Sequence, residues 1–345
     1  MSICQLFNTD LPIIQAPMAG VQGSALAVAV SNAGGLGSLP CAMLSTASMV
    51  SEIQAIQAQT TRPFNVNFFC HTAPTPNAPK DHAWRALMSA YYSELSLDPT
   101  NAAPASARHP FNQEMADLVS QFRPPVVSFH FGLPAPDLLH QVRSCGAKIM
   151  SSATTVEEAL WLEAQGVDAV IAQGLEAGGH RGMFLTQDLL SQVGTFALLP
   201  QIVKAVKTPV IAAGGIADAQ GVRAALALGA AGVQVGTAYL LCPEANTSAV
   251  HRAALKTDAA RVTALTNIYT GRPARGIVNR LMKELGPIHA AAPDFPLASG
   301  ASAPLRAKAE SLGVADFTPL WAGQNVSGCR EISAGELTRA LASQV

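Results

Sequence analysis

The chain has 345 residues, 49% of them hydrophobic and only 13% charged, with a formal net charge of −1. This balance excludes a disordered or coiled-coil protein and fits an α/β enzyme with a heavily buried sheet; with no block of Lys or Arg, it also lacks the electrostatic footprint of a nucleic-acid binder. The six cysteines, Cys4, Cys41, Cys70, Cys145, Cys242 and Cys329, include no C-x-x-C pair, which points to reduced thiols instead of a disulfide framework or a zinc site.

The N-terminus has no basic segment and meets Asp10 and Pro12 before any long apolar stretch, so a secretory signal is not expected and a cytoplasmic location is. Eight short apolar runs follow in order: Ile13 to Met18, Gly35 to Leu39, Phe64 to Phe69, Val126 to Phe131, Lys148 to Ser151, Ala169 to Ala172, Pro209 to Ala213 and Gly232 to Gly236. Each has the length and bounding residues of a buried parallel strand, and helical patterns lie between most of them. Thr155-Val156-Glu157-Glu158 reads as a capping box ahead of a helix that closes at Gly166. Asp218 reads as the cap of a helix with apolar positions Val222, Ala225, Leu226 and Gly229. Such alternation predicts a parallel sheet closed into a TIM (β/α)8 barrel over residues 1–242, because no strand is followed by the G-x-G-x-x-G of an open dinucleotide-binding sheet.

Two regions exceed a minimal barrel. Thr72 to Gln121 is a Pro/Ala/Asn-rich excursion with a helical core around Asp81 to Glu94, placed where a lid over the strand ends would sit. Residues 243–316 are expected to form a small cap domain inserted after the eighth strand, and residues 317–345 to return to the barrel. The uncharged stretch Ala224 to Pro243 mimics a membrane span, but its glycines, Gln234 and Thr237 divide it into a helix end and a strand.

In a barrel of this kind the active site lies at the carboxyl ends of the strands, and the loops after the seventh and eighth strands commonly bind phosphate. Here those loops are Ala213-Gly214-Gly215-Ile216 and Gln234-Val235-Gly236-Thr237, and both offer glycine N–H groups. Tight strand–helix packing explains the same glycines equally simply. Asn67 and Gln173 end strands with amides that suit a flavin edge or a backbone partner. The sixth strand runs into Gly174-Leu175-Glu176-Ala177-Gly178-Gly179-His180, where His180 is either solvated on a surface loop or a base brought to the strand ends. His130, also at a strand end, reads first as a packed, hydrogen-bonded core histidine.

Taken together, Gln15 to Gly20, Asn65-Val66-Asn67, Ser128 to Gly132, Gln173 to His180, Ala213 to Ile216, Gln234 to Thr237 and Thr270 to Arg275 resemble, in that order, the nitronate monooxygenase family, formerly 2-nitropropane dioxygenases. The resemblance implies a TIM barrel that binds FMN non-covalently and uses O2 to turn alkyl nitronates into a carbonyl compound and nitrite, with small-molecule partners only. It further implies that Gly215, Gly236 and Thr237 hold the FMN phosphate, with Gln234 and Val235 in the same cofactor-binding loop. Asn67, Gln173, Gly178 and the backbone around Met18 fall on the isoalloxazine side, and His180 matches the catalytic histidine. The cap, with Tyr91, Tyr92 or Tyr269, would line the substrate pocket.

Rival readings remain. One is an NAD(P)H-dependent quinone or enoyl-thioester reductase on the same fold; another is a phospholigand sensor without turnover. An inosine-monophosphate-dehydrogenase-like barrel is set aside, because Gly174 to Gly182 contains no nucleophilic cysteine.

Overall fold

The computed structural model describes residues 2–98 and 108–345. All eight apolar runs form parallel strands: β1 (Ile13–Gln15), β2 (Gly37–Pro40), β3 (Phe64–Phe69), β4 (Val126–His130), β5 (Lys148–Ala153), β6 (Ala169–Gln173), β8 (Val210–Ala213) and β9 (Gly232–Val235). The two-residue strand β7 (Gly179–His180) lies outside this set. β1 pairs with β9, and Ile14 bridges to Leu36 just ahead of β2, so the sheet closes into a TIM barrel. The first run is shorter than expected: it stops at Gln15, leaving Ala16 to Gly20 as a loop on the barrel mouth.

The period of two along each strand decides what the barrel encloses. On β3, Phe64, Val66 and Phe68 join the layer between sheet and helices. Asn65 and Asn67 take the opposite face, where the Asn65 amide donates to the Ser38 and Ser128 hydroxyls at 3.0 and 2.9 Å. Gln15, Gln22 and Ser38 extend this polar layer. Below it Ile14, Met150, Ile171 and Ile211 pack with Ile3 and Phe7 of the helix Ile3–Phe7, which plugs the amino end of the barrel.

The helices start where capping chemistry places them. Asp218 accepts from the Gly221 N–H at 2.8 Å and opens the helix Ala219–Ala227. Thr155 caps the helix Val156–Ala164, but the capping box is only half formed. The Glu158 carboxylate turns away to accept from the N–H and hydroxyl of Thr154 and from the Phe184 and Leu185 N–H groups.

The cap is assembled from distant pieces. Strands β10 (Thr263–Thr266) and β11 (Ala274–Ile277) pair antiparallel, and β7 adds on the other side of β11. The helix Ala78–Glu94, from the excursion after β3, packs against the helix Ser299–Ser311, and Trp84, Met88 and Tyr92 share a second core with Ile268, Leu305 and Phe317. Residues 243–316 therefore supply only part of the cap; residues 99–107 of the excursion lie outside the described residues. In the C-terminal segment Trp321 bridges to Gly276 of the cap, while the helix Ala334–Leu341 packs on the barrel helices Ser24–Asn32 and Ala219–Ala227. Among the described residues no helix is long and apolar enough to cross a membrane.

Trp84 is fully buried, and its indole N–H donates to the Ala298 carbonyl at 3.1 Å. Trp84→Ala is expected to lose about 3–5 kcal/mol in urea unfolding, the range for truncating a large core aromatic. A loss below about 1 kcal/mol, typical of surface sites, would show that the excursion and the cap do not share a core.

Candidate functional site

One cavity opens at the carboxyl ends of the barrel strands and joins the loops singled out in the sequence. Its lining includes Gly178, Gly215, Gly236 and Thr237, which share one wall, and Asn67, Gln173, Gln234 and His180 at the strand ends; Met18 sits beside the glycine wall, its sulfur 3.7 Å from where a Cβ on Gly236 would stand. Val235 is the exception. Because Gln234 points into the barrel, its neighbour points out, and the Val235 side chain is buried against the helices; only its carbonyl, which accepts from the Ala16 N–H, serves the mouth.

The glycine wall is an anion cradle in form. Gly214 and Gly215 have φ of +113° and +74°, a left-handed turn that side chains disfavour. A Cβ on Gly178 would lie 2.6 Å from the Ala322 carbonyl carbon and the Gly323 nitrogen, so the returning C-terminal segment forms the third wall. The Gly323 N–H donates to the Thr237 hydroxyl at 2.9 Å, and the Asn325 amide donates to the Gly215 carbonyl at 3.0 Å. Gly323 and Asn325 line the cavity but were not singled out in the sequence, where Leu320 to Gln324 reads only as a return to the barrel. Asp218 spends its carboxylate on capping and does not line the cradle.

The strand-end lining is built around His180. The His180 carbonyl accepts from the Gln173 amide at 3.0 Å, and Nε2 of His130 lies 3.1 Å from the same oxygen. The Gln173 side-chain carbonyl accepts from the Gly182 N–H at 2.7 Å, so this amide, expected to face a ligand, is largely committed to folding its own loop. Asn67 donates to the Ser128 hydroxyl at 2.9 Å, and Gln234 Oε1 is buried without a partner among the described residues. Two arginines that the sequence reading quoted but gave no role complete the loop. Arg181, fully buried, donates to the Gly174 and Gln173 carbonyls at 2.7 Å each, and Arg275 donates to the Leu175 carbonyl at 2.9 Å. Burial lowers the Arg181 pKa to about 10, which leaves it charged at neutral pH.

The His180 ring stands in an aromatic cage, with ring centroids 5.2 Å from Phe295, 5.6 Å from Trp321, 6.0 Å from Phe131 and 6.2 Å from Phe69. Its Nε2 is 2.9 Å from the Thr270 hydroxyl. Burial, then the nearby Arg108, His130, Arg272 and His71, push its pKa well below the ordinary imidazole value. His130, bonded to Ser152 and the His180 carbonyl, is lowered by burial to about 3. Tyr91 and Tyr92 sit in the second core instead of the pocket, with the Tyr92 hydroxyl donating to the Ala301 carbonyl at 2.8 Å. Tyr269 also belongs to that core and borders an adjoining chamber.

The family model "Nitronate monooxygenase" matches residues 2–344. A nitronate monooxygenase of Pseudomonas aeruginosa is 40% identical over 347 residues, covering 99% of this chain and 98% of that one. Among solved structures, a nitroalkane oxidase from Streptomyces ansochromogenes is 37% identical with a TM-score of 0.90, covering 100% of this chain and 97% of its own. FabK from Thermotoga maritima is 25% identical with a TM-score of 0.74, covering 100% and 96%.

Of the cavity histidines, His130 and His180 are expected to stay neutral at pH 6.5, where an unperturbed imidazole is half protonated. NMR with 15N-labelled imidazoles checks this; a protonated His180 at that pH would mean that burial does not control its charge.

Proposed function

The chain belongs to the nitronate monooxygenase family and is an oxidoreductase; from that premise we propose that it oxidises alkyl nitronates, and neutral nitroalkanes where they enter, with O2 to a carbonyl compound and nitrite. The observation that carries this reading is a buried histidine in an aromatic cage, His180, lining the same cavity as the glycine loops at Gly215 and Gly236.

FMN is the flavin this lining supports. Gly215, Gly236 and the Thr237 hydroxyl line the cavity together and would hold its single phosphate. The unpartnered Gln234 amide oxygen, whose side chain lines the cavity beside that of Asn67, is a polar group that a flavin edge would satisfy, while the Met18 N–H and the Asn67 amide are held by Gln22 and Ser128. When bound, FMN supplies the electron acceptor for the substrate carbon and the site of reaction with O2.

The chain's own contribution is to place the substrate and move a proton. When the Thr270 hydroxyl donates to the Arg272 carbonyl, 3.4 Å away, its oxygen accepts a hydrogen bond from the Nε2–H of His180 at 2.9 Å. That hydrogen bond selects the tautomer whose Nδ1 carries the lone pair. Nδ1 is then the atom that takes the carbon-bound proton of a neutral nitroalkane; a preformed nitronate has already lost it. Phe69, Phe131 and Phe295 exclude water around this transfer.

Three outcomes test the reading. The purified protein should carry FMN and consume O2 with ethyl nitronate; NADH-driven turnover faster than that uptake would favour a quinone or enoyl-thioester reductase instead. Gly236→Leu should fold without flavin, since a Cβ there already meets Ala16 Cβ at 3.3 Å and a larger side chain enters the cavity. His180→Asn should lose about 10²- to 10⁴-fold on neutral nitroethane and keep most activity on ethyl nitronate. Its pH profile on nitroethane should lack the acid limb that, in the wild type, lies below the ordinary imidazole pKa, because only the deprotonated ring is the base.

A further inference from the structure

We propose that Arg108 is the counter-ion for the anionic nitro group of the substrate, an assignment that rests on the nitronate reading above.

Arg108 stands where the main cavity meets a second chamber lined by Arg306, His251, Tyr269, Ser299 and Thr318. Its Nε and Nη1 are buried with no partner among the described residues, and Nη2 reaches the Met43 thioether at 3.6 Å, a weak acceptor. The guanidinium carbon lies 5.7 Å from the centre of the Phe295 ring, the same ring that packs 5.2 Å from His180. Both side chains therefore border the space where the reacting group would sit.

Among the described residues no carboxylate pairs with Arg108. None of the residues lining the second chamber is acidic. The one acid lining the main cavity, Glu176, has its carboxylate held by the Thr195 N–H and hydroxyl. Arg306, whose charge acts on Arg108, has the same sign and is itself paired with Glu310 at 2.8 Å. A buried guanidinium without a counter-charge is costly, so the site is complete only when an anion enters. Two oxygens on one nitrogen match the planar fork of a guanidinium, as a carboxylate does.

Other cations fail this test. Arg272, whose Nε is also buried without a partner among the described residues, stacks 4.0 Å over the Phe131 ring and donates to the Met183 carbonyl, and it lines neither chamber. His180 is held uncharged, so it provides the base but not the charge. Charge and proton transfer are thus divided between Arg108 and His180.

Nitrate, an unreactive anion with oxygens on nitrogen, is the probe. Its binding to the FMN-loaded protein is followed by flavin absorbance and by tryptophan fluorescence, since Trp321 lines the cavity. Arg108→Gln should weaken nitrate about 10- to 100-fold, the worth of a charge-assisted hydrogen bond, with Arg108→Lys intermediate. KM for ethyl nitronate should rise by a similar factor while kcat changes little, and KM for neutral nitroethane should change less. Flavin content and circular dichroism establish that both variants are folded. Unchanged nitrate affinity in Arg108→Gln, no nitrate binding by the wild type, or equal losses on nitronate and nitroethane would each overturn the assignment. Nitrate binding requires no turnover, so a wild type that binds nitrate through Arg108 yet oxidises no nitronate would sink the proposed reaction and leave the anion site standing.

Discussion

The carbonyl oxygen of His180 receives hydrogen bonds from the Gln173 amide and the His130 ring, and the site depends on this junction. A carbonyl can only accept, so His130 Nε2 carries the proton and its Nδ1 accepts from Ser152. The same residue pairs through its backbone with Ala274 of the cap sheet. Residue 180 is therefore fixed from the barrel interior on one side and from the cap on the other, and its imidazole inherits both constraints. A loop held in this way keeps a base within a narrow range of positions without enclosing it in a helix or a long strand.

Electrostatics follow from the same packing. The cage that holds His180 is aromatic and buried, which disfavours its cation, and neighbouring arginines add to the effect. Three of the arginines near the loop do different physical work. Arg181 and Arg275 bind main-chain carbonyls left open by the irregular chain, while Arg272 lies on an aromatic face. Such positions suit a planar, always-charged fork with several donors better than the compact ammonium of lysine.

Much of this was legible in the sequence, for reasons of periodicity. Eight apolar runs marked eight strands, and Gln173, Asn67 and His180 announced themselves by interrupting apolar or glycine-rich stretches. Period two would also have shown that Gln234 and Val235 cannot both face the cavity. The ring cage was not legible, because Phe69, Phe131 and Phe295 come from three distant segments and each looks like ordinary core. Tyr91 and Tyr92 drew attention through their hydroxyls, yet an amphipathic ring serves a core well when its polar tip finds a carbonyl, as that of Tyr92 does. Gly323 and Asn325 were hidden by their distance from the other cradle loops.

The polar layer inside the barrel has a consequence for how this chain tolerates change. Where many barrels stack branched aliphatic side chains, here Gln15, Gln22, Ser38, Asn65 and Ser128 form a directional lattice beneath the cavity. Aliphatic layers accept size swaps with local repacking, but a lattice of donors and acceptors does not, because each member removed strands a buried neighbour. Drift in this layer must proceed by paired replacements. The floor of the cavity consequently has few single-step neighbours in sequence space, although of these five residues Ser128 alone lines the cavity.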